Sequence, residues 1–67
     1  SPEHRLISLL NYFKEYKTNI CSKCNLVKLT RQQLADLTGL RVETVIRTMR
    51  LLHDEGKLKI EKGKVYY

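Results

Sequence analysis

What this chain lacks narrows its function before any motif is considered. No apolar run approaches the roughly 20 residues that a bilayer-spanning helix needs, and no charged-then-apolar leader opens the chain. The chain is therefore expected to be soluble and cytoplasmic, with no membrane partner. Glycines number only three, scattered along the sequence, so there is no Gly-rich loop to cradle a nucleotide phosphate. His4 and His53 stand in no arrangement with Ser and Asp that reads as a nucleophile and its base, and Asp36, Asp54 and Glu55 read as charges on helix surfaces. No enzymatic activity and no cofactor are expected of this domain. An initiator Met is also missing, and the Ser1-Pro2 opening leads us to expect a piece of a longer protein.

Cysteine is scarce too, but the two present form a pair, Cys21-x-x-Cys24. A structural zinc site needs four ligands, and only His4 and His53 could add to the pair, without the regular spacing of such sites. A redox Cys-x-x-Cys usually opens a helix in a thioredoxin-like setting, which this sequence does not offer. The expectation is two reduced cysteines in a turn and no metal, with a thiol or zinc switch as the alternative.

At 67 residues the chain has room for one core, since a fold this small buries only about 60% of the surface its unfolded chain exposes. Residues 1–67 are read as a single domain. An apolar fraction of 42% supports a compact globule, and the 30% of charged residues are of mixed sign, unlike a disordered tail. Thirteen Lys and Arg against seven Asp and Glu leave a net charge of +6. That excess favours encounter with a polyanion, although acidic proteins and anionic lipid would also be attracted by it.

Apolar residues recur at helical spacing from His4 to Tyr16 (Leu6, Ile7, Leu9, Leu10, Phe13), which predicts a first amphipathic helix. The polar stretch Thr18–Asn25 leads into Leu26-Val27-Lys28-Leu29, a short strand, and together they suggest a small hairpin. Thr30 followed three residues later by Gln33 has the form of a capping box, so a second helix begins at Arg31. It runs through Leu34, Ala35 and Leu37 and stops at Gly39. A third helix spans about Val42 to Glu55 and ends at Gly56. Two helices joined by so short a turn containing Gly make a helix-turn-helix unit. Beyond Gly56, Leu58 and Ile60 alternate with lysines, and Lys62-Gly63 turns the chain into Lys64–Tyr67, forming a terminal β-hairpin, or wing. The fold class is thus α+β, a winged helix-turn-helix with three helices and small antiparallel β-hairpins.

At 100° per residue the third helix has two faces. Val45, Thr48, Met49 and Leu52 share one, read as core packing. Val42, Glu43, Ile46, Arg47 and Arg50 share the other, where aliphatic groups sit among an acid and two bases. Such a mixture suits the DNA major groove: Arg can bond guanine O6 and N7, Glu can accept from cytosine N4, and an aliphatic group can cover a thymine methyl. Taken alone, Glu43 and Arg47 would be read as a solvated i,i+4 ion pair worth roughly 0.2 to 0.5 kcal/mol; their place after a helix-turn-helix bend favours DNA.

The stretch from Leu29 to Leu40 (LTRQQLADLTGL), continued by Val42-Glu43-Thr44-Val45-Ile46-Arg47, resembles the DNA-binding domain of the Crp/Fnr superfamily of bacterial transcription regulators. The likeness covers nearly the whole chain, and its most specific part is Thr-Arg-Gln combined with Gly-Leu-x-x-Glu-Thr-Val-x-Arg. It implies that Glu43 and Arg47 are the principal base readers and that Val42 helps choose the half-site. Val at that place looks more like the fumarate-nitrate branch, which implies a TTGA-type half-site with Arg47 on the guanine and Glu43 toward the complementary cytosine. Ile46 departs from the small polar residue usual beside the Arg. Arg41 stands where relatives have a Ser or Thr cap, a change that typically costs about 1 kcal/mol.

The resemblance also implies DNA backbone contacts from Arg31, Gln32 and Thr44 and from the wing lysines Lys62 and Lys64, and Arg41 and Arg50 are added as backbone candidates. Such contacts set register without reading sequence. Relatives dimerise through a long helix before this domain, sense their signal in an N-terminal β-roll and bind palindromic double-stranded DNA. Reading helices in such dimers lie roughly 34 Å apart, so the domain alone is expected to bind weakly. A homodimer in the intact protein and RNA polymerase complete the list of expected partners. The competing reading is a winged-helix module that binds protein, which predicts an apolar patch without basic flanks.

Overall fold

The computed structural model describes residues 1–67 as α1 (Pro2–Glu15), α2 (Arg31–Thr38), α3 (Val42–Asp54), β1 (Lys59–Glu61) and β2 (Lys64–Tyr66). The three helices enclose one apolar core, and the two strands form an antiparallel hairpin. None of the helices is long and apolar enough to cross a membrane.

Helix α1 starts two residues before the His4 that apolar periodicity indicates. The cause is local: Ser1 Oγ accepts the His4 N–H at 3.2 Å, and Pro2, whose ring presets the helical φ, occupies the first turn. Leu6, Leu10 and Phe13 line its buried face, while Tyr16, the last of the periodic residues, lies exposed beyond its end. Burying each of these side chains contributes roughly 1.5–3 kcal/mol.

The capping box of α2 forms as its sequence suggests. Thr30 Oγ1 accepts from the Gln33 N–H at 3.1 Å, and Gln33 Oε1 accepts from the Thr30 N–H at 2.9 Å. The helix closes at Gly39, which takes φ 75°, a left-handed conformation that strains any residue with a Cβ. From there the Gly39 and Leu40 N–H groups both donate to the Ala35 carbonyl, at 2.9 and 3.2 Å, and the chain turns directly into α3. Leu34 and Ala35 are the buried residues of α2, whereas Leu37, counted with its apolar positions, is exposed.

Helix α3 ends at Asp54, one residue short of the expected Glu55, and buries the predicted face of Val45, Thr48, Met49 and Leu52. These pack with Leu6, Leu10, Phe13, Leu34 and Ala35 into the core cluster, which Ile20, Val27, Leu58 and Val65 extend toward the hairpin. In the hairpin Glu61 pairs with Lys64, so only Lys62 and Gly63 make the turn, at φ 51° and 77°. Two positive φ values in a two-residue loop are the type I′ geometry that matches strand twist.

The small hairpin expected before α2 contracts to a single bridge, Ile20 with Val27. Left-handed Lys17, Asn19 and Asn25 interrupt extended backbone on both arms, and the Thr30 cap leaves little chain to lengthen the second. Leu26 and Val27 also find partners on β2. Leu26 bridges Tyr66, and the Val27 N–H donates to the Val65 carbonyl at 2.8 Å. The segment before α2 is thereby stitched to the wing.

Candidate nucleic-acid interface

The outward face of α3 is set by the packing of its inward face. With Val45, Met49 and Leu52 fully buried, Glu43, Ile46, Arg47 and Arg50 are left exposed on the opposite side. Val42 sits at the margin, half-buried and packed against the core, and Thr44 is also half-buried. Ile46 is 49% exposed, an aliphatic group standing in solvent between charged neighbours.

None of the charged groups on this face is used inside the molecule. The ion pairs present join Lys57 to Glu55 at 3.4 Å and Lys59 to Glu61 at 3.0 Å, both exposed. The i,i+4 pair open to Glu43 and Arg47 does not form. At the start of the helix Arg41 is exposed and extended, and its side chain makes no capping bond. The first turn of α3 thus has no side-chain cap at the positive end of the helix dipole, a setting that favours an anion.

Apart from the half-buried Thr44, the residues proposed for the DNA backbone fall into two groups. Arg41, Arg50, Lys62 and Lys64 are exposed and without ion-pair partners, whereas Arg31 and Gln32 are engaged. Gln32 Nε2 donates to Asp36 Oδ1 at 3.0 Å, one turn along α2. Arg31 Nη1 donates to the Gly63 carbonyl at 2.9 Å, which ties the wing turn to the start of α2 and so sets where Lys62 and Lys64 stand. A guanidinium carries five donors, so this bond leaves others free.

Two positioning contacts escape sequence reasoning. His53, which sequence offers only as a candidate base or metal ligand, is exposed, yet its Nδ1 accepts the Ile60 N–H at 3.1 Å and fixes β1 to the last turn of α3. The Thr38 hydroxyl donates to the Leu34 carbonyl at 2.7 Å and accepts the Leu40 N–H at 3.4 Å, bracing the bend between the two helices. A His in a last turn and a Thr before a Gly are the only signals the sequence carries for them.

Cys21 is half-buried and Cys24 exposed, both as free thiols, and no group of three His, Cys, Asp or Glu residues gathers to hold a metal ion.

A helix-turn-helix whose second helix shows an exposed Glu, Ile and Arg face, followed by a β-hairpin bearing lysines at its turn, defines a winged helix-turn-helix domain. More narrowly, the chain belongs to the Crp-like helix-turn-helix domain family, whose model matches residues 4–66. Comparison with curated proteins and with solved structures gives no match. Membership of this family makes the chain a double-stranded-DNA-binding domain of a transcription regulator.

Proposed function

We propose that the chain reads a TTGA-type half-site by placing α3 in the major groove. Arg47 bonds the guanine, Glu43 accepts from the complementary cytosine, and Ile46, with the exposed part of Val42, covers thymine methyl groups. Arg41, Arg50 and Thr44 contact phosphates beside the helix, and Lys62 and Lys64 do so from the wing, with Arg31 holding the wing turn in place. In the regulator two such domains engage a palindromic site as a homodimer.

The observation that carries this reading is the exposed face of α3, whose Glu43, Arg47 and Arg50 have no ion pair or side-chain hydrogen bond in the molecule. Charged groups of both signs left unpaired beside an exposed Ile favour a partner that supplies donors, acceptors and methyl groups together. The basic flanks distinguish this face from the apolar patch that a protein-binding winged helix would present.

Fluorescence anisotropy of a labelled palindromic duplex with TTGA-type half-sites, titrated at several salt concentrations, tests it. Wild-type binding should weaken steeply with salt, and Arg47→Ala should lose roughly 1–3 kcal/mol of preference for that site over scrambled DNA. Equal preference in wild type and variant would overturn the assignment of the reading face.

A further inference from the structure

Cys21 and Cys24 take no part in the DNA-facing surface. They lie on a short loop closed by two backbone bonds: the Cys21 N–H donates to the Leu26 carbonyl at 2.9 Å, and the Asn25 N–H donates to the Cys21 carbonyl at 2.8 Å. The second bond is that of a single helical turn, a shape that brings side chains three residues apart onto one side. The Cys24 thiol and the backbone N–H groups of Cys24 and Lys23 lie close enough to Cys21 Sγ to favour its thiolate.

Cys21 also borders an open cleft whose walls include Phe13, Lys14, Lys17 and Asn25. Neither Lys14 nor Lys17 is ion-paired, although Lys14 Nζ donates to Asn25 Oδ1 at 2.8 Å. Lys28 adds positive charge nearby, and no Asp or Glu lines the cleft. A thiol beside such a cleft is open to an anionic reagent, and a second thiol stands next to it.

We infer that Cys21 and Cys24 form a reactive dithiol that exchanges with small anionic disulfides and closes to an intraloop disulfide, with Cys21 attacking and Cys24 resolving. The Cys21 thiolate attacks one sulfur of a disulfide RS–SR, forming Cys21–S–SR and releasing RS⁻, which takes a proton from solvent. The Cys24 thiol then gives its proton to solvent, and its sulfur attacks Cys21 Sγ and expels the second RS⁻. Two protein thiols are oxidised by two electrons, and one disulfide is reduced to two thiols.

The division of roles follows from position: Cys21 borders the cleft and Cys24 does not. The Cys24 thiol, then the backbone N–H groups of Cys24 and Lys23, lower the Cys21 pKa from 9.0 to about 7 against the opposing effect of burial, with a lesser contribution from the Lys28 charge. A thiol with a pKa near the ambient pH is close to the optimum for attack in thiol–disulfide exchange.

Closure has a mechanical consequence. Cβ atoms three residues apart on a helical turn lie about 5–6 Å from one another, and a disulfide draws them to roughly 3.5–4.5 Å. Asn25, next to the contracting loop, accepts the Tyr67 N–H at 2.9 Å, and Leu26 bridges Tyr66. The contraction is therefore delivered to the second strand of the wing.

The test uses the 67-residue chain in oxidised and reduced glutathione mixtures, read by intact mass, thiol titration and amide NMR. The expected result is loss of two hydrogens, with a Cys21–Cys24 link and shifted Tyr66 and Tyr67 amides. Cys24→Ser should instead stop at a stable mixed disulfide on Cys21, and in the wild-type chain alkylation of Cys21 should rise through a midpoint near pH 7. Lys17→Gln should slow exchange with oxidised glutathione several-fold but leave exchange with neutral hydroxyethyl disulfide unchanged. Two free thiols in excess oxidised glutathione, or a mixed disulfide formed on Cys24 alone, would overturn the proposal. Lys17→Gln slowing both reagents equally would overturn the anionic specificity.

Discussion

The two helices of the helix-turn-helix differ in what they do with their polar groups. Helix α2 consumes nearly all of its own: Thr30 and Gln33 cap its start, Gln32 bonds Asp36, Arg31 bonds the wing turn, and Thr38 bonds the Leu34 carbonyl. Helix α3 buries a longer apolar stripe but leaves Glu43, Arg47 and Arg50 without ion pairs and its N-terminus without a side-chain cap. A group already bonded inside the protein must give up that bond before it can bind elsewhere, which cancels most of the gain. Helix α2 is built to hold, and α3 is built to be held by something else.

The comparison holds only if the stability of α3 comes from its inner face and not from the outer one. Met49 is fully buried and Arg50, the next residue, is exposed. Met49→Ala is expected to destabilise the domain by roughly 2–5 kcal/mol, through lost burial and the cavity left behind. Arg50→Ala should stay within about 0.5 kcal/mol of wild type. Urea denaturation followed by circular dichroism measures both. A cost for Arg50→Ala comparable to that for Met49→Ala would mean that the outer face supports the fold after all.

A smaller effect is expected where α2 reaches the wing. Removing the Arg31 side chain breaks a bond from a charged donor to the Gly63 carbonyl, and Arg31→Ala should cost about 1.5 kcal/mol. Gln32→Ala, which removes only a solvated i,i+4 contact, should cost about 0.3 kcal/mol. Hydrogen exchange should show the difference in kind: Arg31→Ala quickens the amides around Lys62–Lys64, and Gln32→Ala leaves them alone. Equal exchange in both variants would detach Arg31 from the wing.

The contrast also explains which parts of the molecule were legible in the sequence. The start of α2 was legible because a capping box is local, and so were the two faces of α3, because one helix repeats its own geometry. Val42 shows the limit of that periodicity: it falls within the outer stripe, yet in the first turn its Cβ tilts back toward the helix start, and it packs on the core. The Arg31–Gly63 bond spans 32 positions, and the pairing of Leu26 with Tyr66 joins a shortened local hairpin to a distant strand. No windowed pattern encodes either. At the candidate interface, residue types suited to base contacts could be picked out, but that Glu43 and Arg47 stay apart rather than pair was visible only in three dimensions.

The finest test lies at the two helix starts. Thr30→Ala should lose about 1 kcal/mol by removing a cap that exists, and Arg41→Ser should gain up to about 1 kcal/mol by supplying one that does not, because a Ser hydroxyl there can accept from the Glu43 or Thr44 N–H. If Arg41 contacts a phosphate as proposed, Arg41→Ser should at the same time weaken binding to specific and scrambled duplexes alike and reduce the salt slope by about 1. Opposite signs in thermal stability and DNA affinity, read by calorimetry and anisotropy on one variant, would show that this helix gives up a cap to gain a contact. A variant that is more stable and binds no less tightly would instead leave the uncapped start of α3 as a weakness of the fold with no role at the interface.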